Sequence, residues 1–251
     1  LTEFENEGID GLVIDVRGNP GGYLGAVTAI ADYVVPKTKP VVQTVERDGN
    51  ATRYFSKLDE KKPYPIVTLI DGGTASASEI LAAALHEAGG YPIVGTKSFG
   101  KGTVQAEETF EDGSRLKLTI MKWLTPEGNW IHEKGLKPTV SIKQPDFFYT
   151  SPITVEEDET LTYDENGNRI QNAQVMLDGL GFEPGREDGY FSEQTKSAVE
   201  AFQRVNDLPV TGEIDAATAS ALDQKIMDAV DQRKNDRQLK TALETLEKHL
   251  Q

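Results

Sequence analysis

Apolar residues fall in short blocks along the chain, and the spacing inside each block predicts its element. Gly11-Leu12-Val13-Ile14-Asp15-Val16 and Ile66-Val67-Thr68-Leu69-Ile70 are mostly apolar runs bounded by turn formers, the pattern of buried strands. Pro92-Ile93-Val94 reads as a shorter one. Helical periodicity runs from about Tyr23 to Tyr33, and again from Ser76 to Glu87, where Ile80, Leu81, Ala84 and Leu85 share a face and Gly89-Gly90 stops the pattern. Val41–Arg47 and Ala51–Phe55 flank Asp48-Gly49-Asn50 as a hairpin, and Thr103–Thr109 and Arg115–Trp123 are two further strands. Strands alternating with helices in this way predict an α/β core.

The pattern changes near Pro145. Residues 1–145 form the α/β core, and 146–169, with Pro152 and an acidic run from Glu156 to Glu159, read as a linker. Asn166-Gly167 near its end predicts a tight hairpin turn. Residues 170–225 turn helical. Residues 226–251 read as one long polar helix with Leu239, Leu243, Leu246 and Leu250 at heptad-like spacing. A helix polar over so much of its length is rarely stable alone, so this seam predicts a homodimer contact. At the other end, Leu1 to Gly8 reads as the last turns of a helix with a glycine stop. The expectation is that an N-terminal part of the protein precedes Leu1 and carries its localisation signals.

Composition narrows the function. Hydrophobic residues make up 37% of the 251, enough for a real core. No apolar run approaches the roughly 20 residues needed to span a bilayer. The net charge is −15, and residues 151–251 carry 21 acidic against 10 basic side chains. Such a surface repels phosphate backbones, and no basic stripe is present, so nucleic acid is excluded as a partner. The absence of cysteine removes disulfides, thiolate nucleophiles and cysteine zinc sites together. No metal and no cofactor are expected.

One segment offers a nucleophile. Thr74-Ala75-Ser76-Ala77-Ser78-Glu79 lies between a buried strand and a helix, which places a serine at a strand-to-helix turn beside a helix N-terminus that favours negative charge. Glu79 suits a capping role in the first helical turn, and Ser78 reads as a capping or packing residue. A serine hydroxyl needs a neighbouring base. His86 lies along the same helix and His249 in the tail, which leaves His132, in a loop after Trp130, and Lys101, in the glycine-flanked Phe99-Gly100-Lys101-Gly102. A lysine desolvated in such a loop is held toward its neutral amine, the form that accepts a proton.

Three ordered motifs, Asp15-Val16-Arg17-Gly18-Asn19-Pro20-Gly21-Gly22, Ser76-Ala77-Ser78-Glu79 and Phe99-Gly100-Lys101-Gly102-Thr103-Val104-Gln105, closely resemble the carboxy-terminal processing (tail-specific) proteases over about residues 1–143. The resemblance implies a crotonase-like β/α core and a serine–lysine dyad, with Ser76 as nucleophile, Lys101 as base and Gln105 orienting the base. It also implies an oxyanion hole made by the amides of Ala77 and Gly22. Members of the family carry a PDZ domain ahead of this core that binds the substrate's C-terminus. The implied substrate is therefore a protein or peptide with a free C-terminus. Within the family, the chain resembles the secreted members of spore-forming Gram-positive bacteria, some of which signal during sporulation, which implies an extracytoplasmic location.

Residues 170–225 carry Asp188-Gly189-Tyr190-Phe191, Ala201-Phe202-Gln203 and Thr211-Gly212, and resemble the small three-helix peptidoglycan-binding module of bacterial wall enzymes. Leu177, Leu180, Phe182, Val199 and Phe202 are spaced as its core. Peptidoglycan is accordingly a candidate partner. The competing function is a cell-wall-binding scaffold with an inactive protease core.

Overall fold

The computed structural model describes residues 1–250, which form two compact units. The first comprises Leu1–Lys143 and the chain from Gln238 onward; the second is Gln144–Arg237. The first unit is mixed α/β. A short helix α1 (Thr2–Glu7) precedes strand β1 (Leu12–Asp15) and helix α2 (Leu24–Val34). Strands β2 (Val42–Glu46) and β3 (Ala51–Tyr54) make the expected hairpin. Strand β4 (Ile66–Ile70) leads into helix α3 (Ala77–Ala83), which widens into a π-helical turn at Ala84–Ala88. Strands β5 (Ile93–Gly95), β6 (Thr103–Thr109), β7 (Arg115–Leu124) and β8 (Val140–Ser141) follow. They build a parallel sheet in the order β1-β4-β5-β8 and an antiparallel sheet in the order β3-β2-β7-β6.

Strand β4 explains the layering. All five of its residues are buried. Because successive side chains point to opposite faces, Ile66 and Ile70 enter the main core with Val27 and Ala31 of α2 and Ile80 and Leu81 of α3, while Val67 and Leu69 face the other way. A parallel sheet needs cover on both faces. The second face is covered by helix α7 (Arg237–Leu250), whose Ala242 and Leu246 are buried with Val67, Leu69 and Val94.

This changes the reading of the tail. Residues 226–251 are not one helix: helix α6 (Ala216–Val230) ends before a 3-10 turn at Arg233–Asn235, and α7 starts afresh. The buried stripe of α7 is Gln238, Ala242, Thr245 and Leu246. The leucine seam expected to join two subunits is split. Leu246 and the half-buried Leu239 pack on the chain's own sheet, while Leu243 and Leu250 are exposed.

The second unit packs helices α4 (Asn168–Gly179), α5 (Glu193–Val205) and α6 around Leu177, Phe191, Phe202, Ile214 and Leu222. Ser192 and Asp215 cap α5 and α6 by accepting from the amides of Thr195 and Thr218. Residues 146–169 are not a free linker, since Phe147, Ile153 and Leu161 are buried in this core and Leu161 bridges Ile214. Asn166-Gly167 makes no hairpin turn either. Asn166 bridges Tyr190, the Gly167 amide donates to Gly189 O, and α4 begins at the next residue.

Candidate active site

The turn from β4 into α3 brings Ser76 to the N-terminus of a buried helix. Its backbone is in the left-handed half of conformational space, φ 54° and ψ −117°, which is strained for a residue with a side chain. Such strain persists only where the surroundings impose it. Here Ala75 N donates to Asn19 O at 3.0 Å, and the Asp71 side chain ties the turn by accepting from Gly73, Thr74 and Gly18 amides. Ala77 opens α3, so its amide belongs to the first helical turn, where intrahelical acceptors are missing.

The Asn19–Gly22 loop lies against this turn. Gly21, at φ 98°, has no room for a side chain: a Cβ there would stand 2.7 Å from Ala75 O, 2.8 Å from Ala77 N and 3.0 Å from Ser76 Cβ. The Gly21 amide is used within the loop, donating to Asn19 Oδ1 at 2.9 Å. Among the described residues, the Gly22 amide makes no hydrogen bond of this kind. A cavity of about 680 Å³ opens next to these residues, lined by Gly21, Gly22, Ala77 and a mostly apolar wall that includes Ile14, Val27 and Leu81.

Lys101 sits in a loop whose main chain is fixed at almost every point. Its amide donates to Glu79 Oε2 at 2.8 Å, and its carbonyl accepts the indole N–H of Trp123 at 2.8 Å. Trp130, the chain's other tryptophan, donates to the carbonyl of Gly102 at 2.9 Å. Gly100 O accepts from Glu133 N, and a Cβ on Gly100 or Gly102 would collide with the backbone of Gly135 or His132 at 2.8 Å. Among the described residues, the hydrogen bonds of Lys101 come from its main chain, and none joins its Nζ to Ser76.

The piece that unites these parts is Glu79. It is fully buried, and its carboxylate accepts four hydrogen bonds. Oε2 takes the amides of Ser76 (2.9 Å) and Lys101 (2.8 Å), and Oε1 takes Ser98 Oγ (2.5 Å) and the Gly100 amide (2.7 Å). Four donors fill the lone-pair capacity of a carboxylate and offset the cost of burying it. The sequence pointed to helix capping for Glu79, which the Ser76 bond satisfies, but gave no sign of its hold on the second loop. The roles of Trp123 and Trp130 were likewise missed; two indoles close to a Gly-Lys-Gly loop were the available signal.

The remaining predicted residues fall as follows. Ser78 is buried in the first turn, its amide donating to Ala75 O. Gln105 is exposed on β6 just beyond a bulge at Val104/Gln105, paired with Thr119, with no hydrogen bond to Lys101 among the described residues. His132 contacts the lysine loop at its main chain, its Nδ1 3.4 Å from Gly102 N and 3.3 Å from Gly100 O, with its ring against Trp130. His86 is bonded to Tyr91 O. Among the described residues no cluster of acidic or histidine side chains is arranged to hold a metal.

Known proteins match both units. Residues 1–142 match the model of Peptidase family S41, and residues 166–222 match a peptidoglycan binding domain model. The chain is 55% identical over 246 residues to carboxy-terminal processing protease CtpB of Bacillus subtilis, covering 98% of this chain and 51% of that protein. Carboxy-terminal processing protease CtpA of the same organism is 35% identical, with 100% of this chain and 53% of the relative covered. The chain thus spans about half the length of these relatives. Among solved structures, the photosystem II D1 C-terminal processing protease superposes with a TM-score of 0.52 at 34% identity, over 57% of this chain and 37% of that one.

Proposed function

The chain belongs to peptidase family S41, and from that premise we propose that it cleaves proteins by a serine–lysine mechanism, Ser76 attacking and Lys101 serving as base. The observation that carries the reading is the shared carboxylate of Glu79, which holds the Ser76 turn and the Lys101 loop against one another. In the reaction, the neutral amine of Lys101 takes the proton from Ser76 Oγ as the oxygen attacks the scissile carbonyl. The oxyanion accepts from the amides of Ala77 and Gly22. Lys101 then returns the proton to the departing amine, and water releases the acyl group by the same steps in reverse.

The apolar cavity beside Gly22 and Ala77 supports an apolar substrate side chain next to the cut bond. The relatives' description as carboxy-terminal processing proteases supports substrates recognised by a free C-terminus. Gln105 orients Lys101 when the dyad closes. A peptidoglycan-binding unit supports an extracytoplasmic location, because that polymer lies outside the membrane. Signalling during sporulation is part of the same proposal and rests on the likeness to members from spore-forming bacteria.

The test is cleavage of an unstructured protein with a free C-terminus, against the same protein amidated there. Ser76→Ala should abolish cutting, and amidation should slow it. Persistence of cutting in Ser76→Ala overturns the assignment. The rival, a wall-binding scaffold with a silent core, is favoured by the missing Nζ-to-Ser76 bond. It predicts no cleavage and no fluorophosphonate labelling at Ser76, together with retention on peptidoglycan.

A further inference from the structure

Arg17 stands at the root of the loop that ends in Gly22, and its guanidinium is held on two sides. Nε donates to Asp15 Oδ1 and Oδ2 at 2.9 and 3.1 Å, and Nη2 donates to Oδ2 at 2.6 Å. On the other side Nη1 donates to Oε1 of Gln238 at 3.1 Å. Gln238 lies 221 residues further along the chain, in the first turn of α7, and is only 1% exposed. Its Nε2 donates to Ile142 O at 2.9 Å. A buried amide with both ends engaged has a fixed orientation, so the acceptor offered to Arg17 is fixed too.

From Arg17 the chain runs directly into the candidate oxyanion site. Gly18 N is bonded to the Asp71 side chain, Asn19 O accepts from Ala75, and Gly21 presses on Ala75–Ala77. No regular hydrogen-bonded element covers residues 17–22, so individual ties of this kind hold the loop. Oxyanion donors contribute to catalysis only if they are already in place when charge develops, and misplacement by a fraction of an ångström removes much of the effect.

We propose that Gln238 is a positioning residue for the Gly22 amide, acting through Arg17, and that helix α7 is thereby part of the active-site scaffold. The inference rests on the reading of Gly22 and Ala77 as oxyanion donors. Apolar contacts of Ala242 and Leu246 dock α7 on the sheet independently of Gln238. Removing the amide should therefore disturb Arg17 and its loop without releasing the helix.

The test compares Gln238→Ala and Gln238→Glu in the full-length protein, with a peptide substrate and a peptide boronate, whose oxygen occupies the oxyanion position. Gln238→Ala should lower kcat about tenfold with KM little changed, the size expected for losing a hydrogen bond to a charged group, and should weaken the boronate by the same factor. Gln238→Glu keeps a charged acceptor for Arg17 but loses the donor to Ile142 O, so it should recover part of both. Amide exchange should quicken at residues 18–22 in Gln238→Ala while α7 stays protected. Unchanged kcat and boronate affinity in Gln238→Ala would overturn the proposal. So would a Glu variant as impaired as the Ala one, or loss of protection throughout α7. Exchange needs no activity, and Ser76→Ala in the same cleavage assay tests the underlying reading separately.

Discussion

Ser76 and Lys101, 25 positions apart in the chain, donate their backbone amides to the same oxygen atom, Oε2 of Glu79, at 2.9 and 2.8 Å. One acceptor ties the Ser76 turn and the Lys101 loop together through their main chains, without engaging either side chain. The relationship makes Glu79 the tie between the two loops that carry the proposed dyad.

The first prediction follows from that carboxylate. Glu79→Gln keeps the size but replaces one oxygen by an NH₂ group that must face donors. It should cost about 1–3 kcal/mol of stability and reduce cleavage by at least about a hundredfold. Glu79→Ala strands all four donors and should cost more, with loss of soluble protein the expected result. Denaturation midpoints and initial rates measure both. A Glu79→Gln enzyme of normal activity would show that the loops hold their spacing without it.

A second prediction separates the two candidate bases. Ser76→Ala and Lys101→Ala should each bring cleavage to background, and the double variant should be no worse than either, as for residues acting as a unit. His132→Ala should be a partial loss of roughly tenfold, because the bonds of His132 to the lysine loop go to the main chain of Gly100 and Gly102. Initial rates decide. Complete loss in His132→Ala with activity left in Lys101→Ala would reverse the assignment.

Much of this was legible in the sequence, and the failures have a common cause. The buried strands, the hairpin and the serine at the strand-to-helix turn are local patterns, and local patterns survive in one dimension. Val67 and Leu69 declared by their hydrophobicity that something must cover the far face of β4, but not that the cover would be Leu246, more than 170 residues away. Leucine spacing in α7 invited a heptad reading because it ignores small and polar residues. The stripe that is buried runs through Gln238, Ala242 and Thr245, which carry little hydrophobic signal. Glu79 was visible as a cap; its three bonds to Ser98, Gly100 and Lys101 depend on loop packing that periodicity does not encode.

The third prediction contrasts two adjacent glycines. Gly21→Ala places a methyl group 2.7 and 2.8 Å from the backbone of Ala75 and Ala77 and 3.0 Å from Ser76 Cβ, at φ 98°, so the loop must move. Cleavage should fall by at least about a hundredfold, comparable to losing an oxyanion donor. At Gly22 a Cβ meets nothing within 4 Å. Gly22→Ala should fold normally and lose less activity than Gly21→Ala. The reverse ranking in kcat would mean that the loop is not held against the serine turn in the working enzyme.

The last prediction concerns the terminal helix. Leu246 is 7% exposed against Val67, Leu69 and Val94, whereas Leu243, three residues earlier, is 47% exposed. Leu246→Ala should therefore lower stability by about 2–4 kcal/mol, the range for a buried leucine whose site cannot collapse. Leu243→Ala should change it by no more than about 0.5 kcal/mol. Deleting α7 should destabilise the first unit outright, because it bares the far face of β4 and β5. Urea midpoints and light scattering on the same samples distinguish this from a contact between copies. In that case Leu243→Ala and Leu246→Ala would both halve the mass, and neither would shift the unfolding of the isolated subunit.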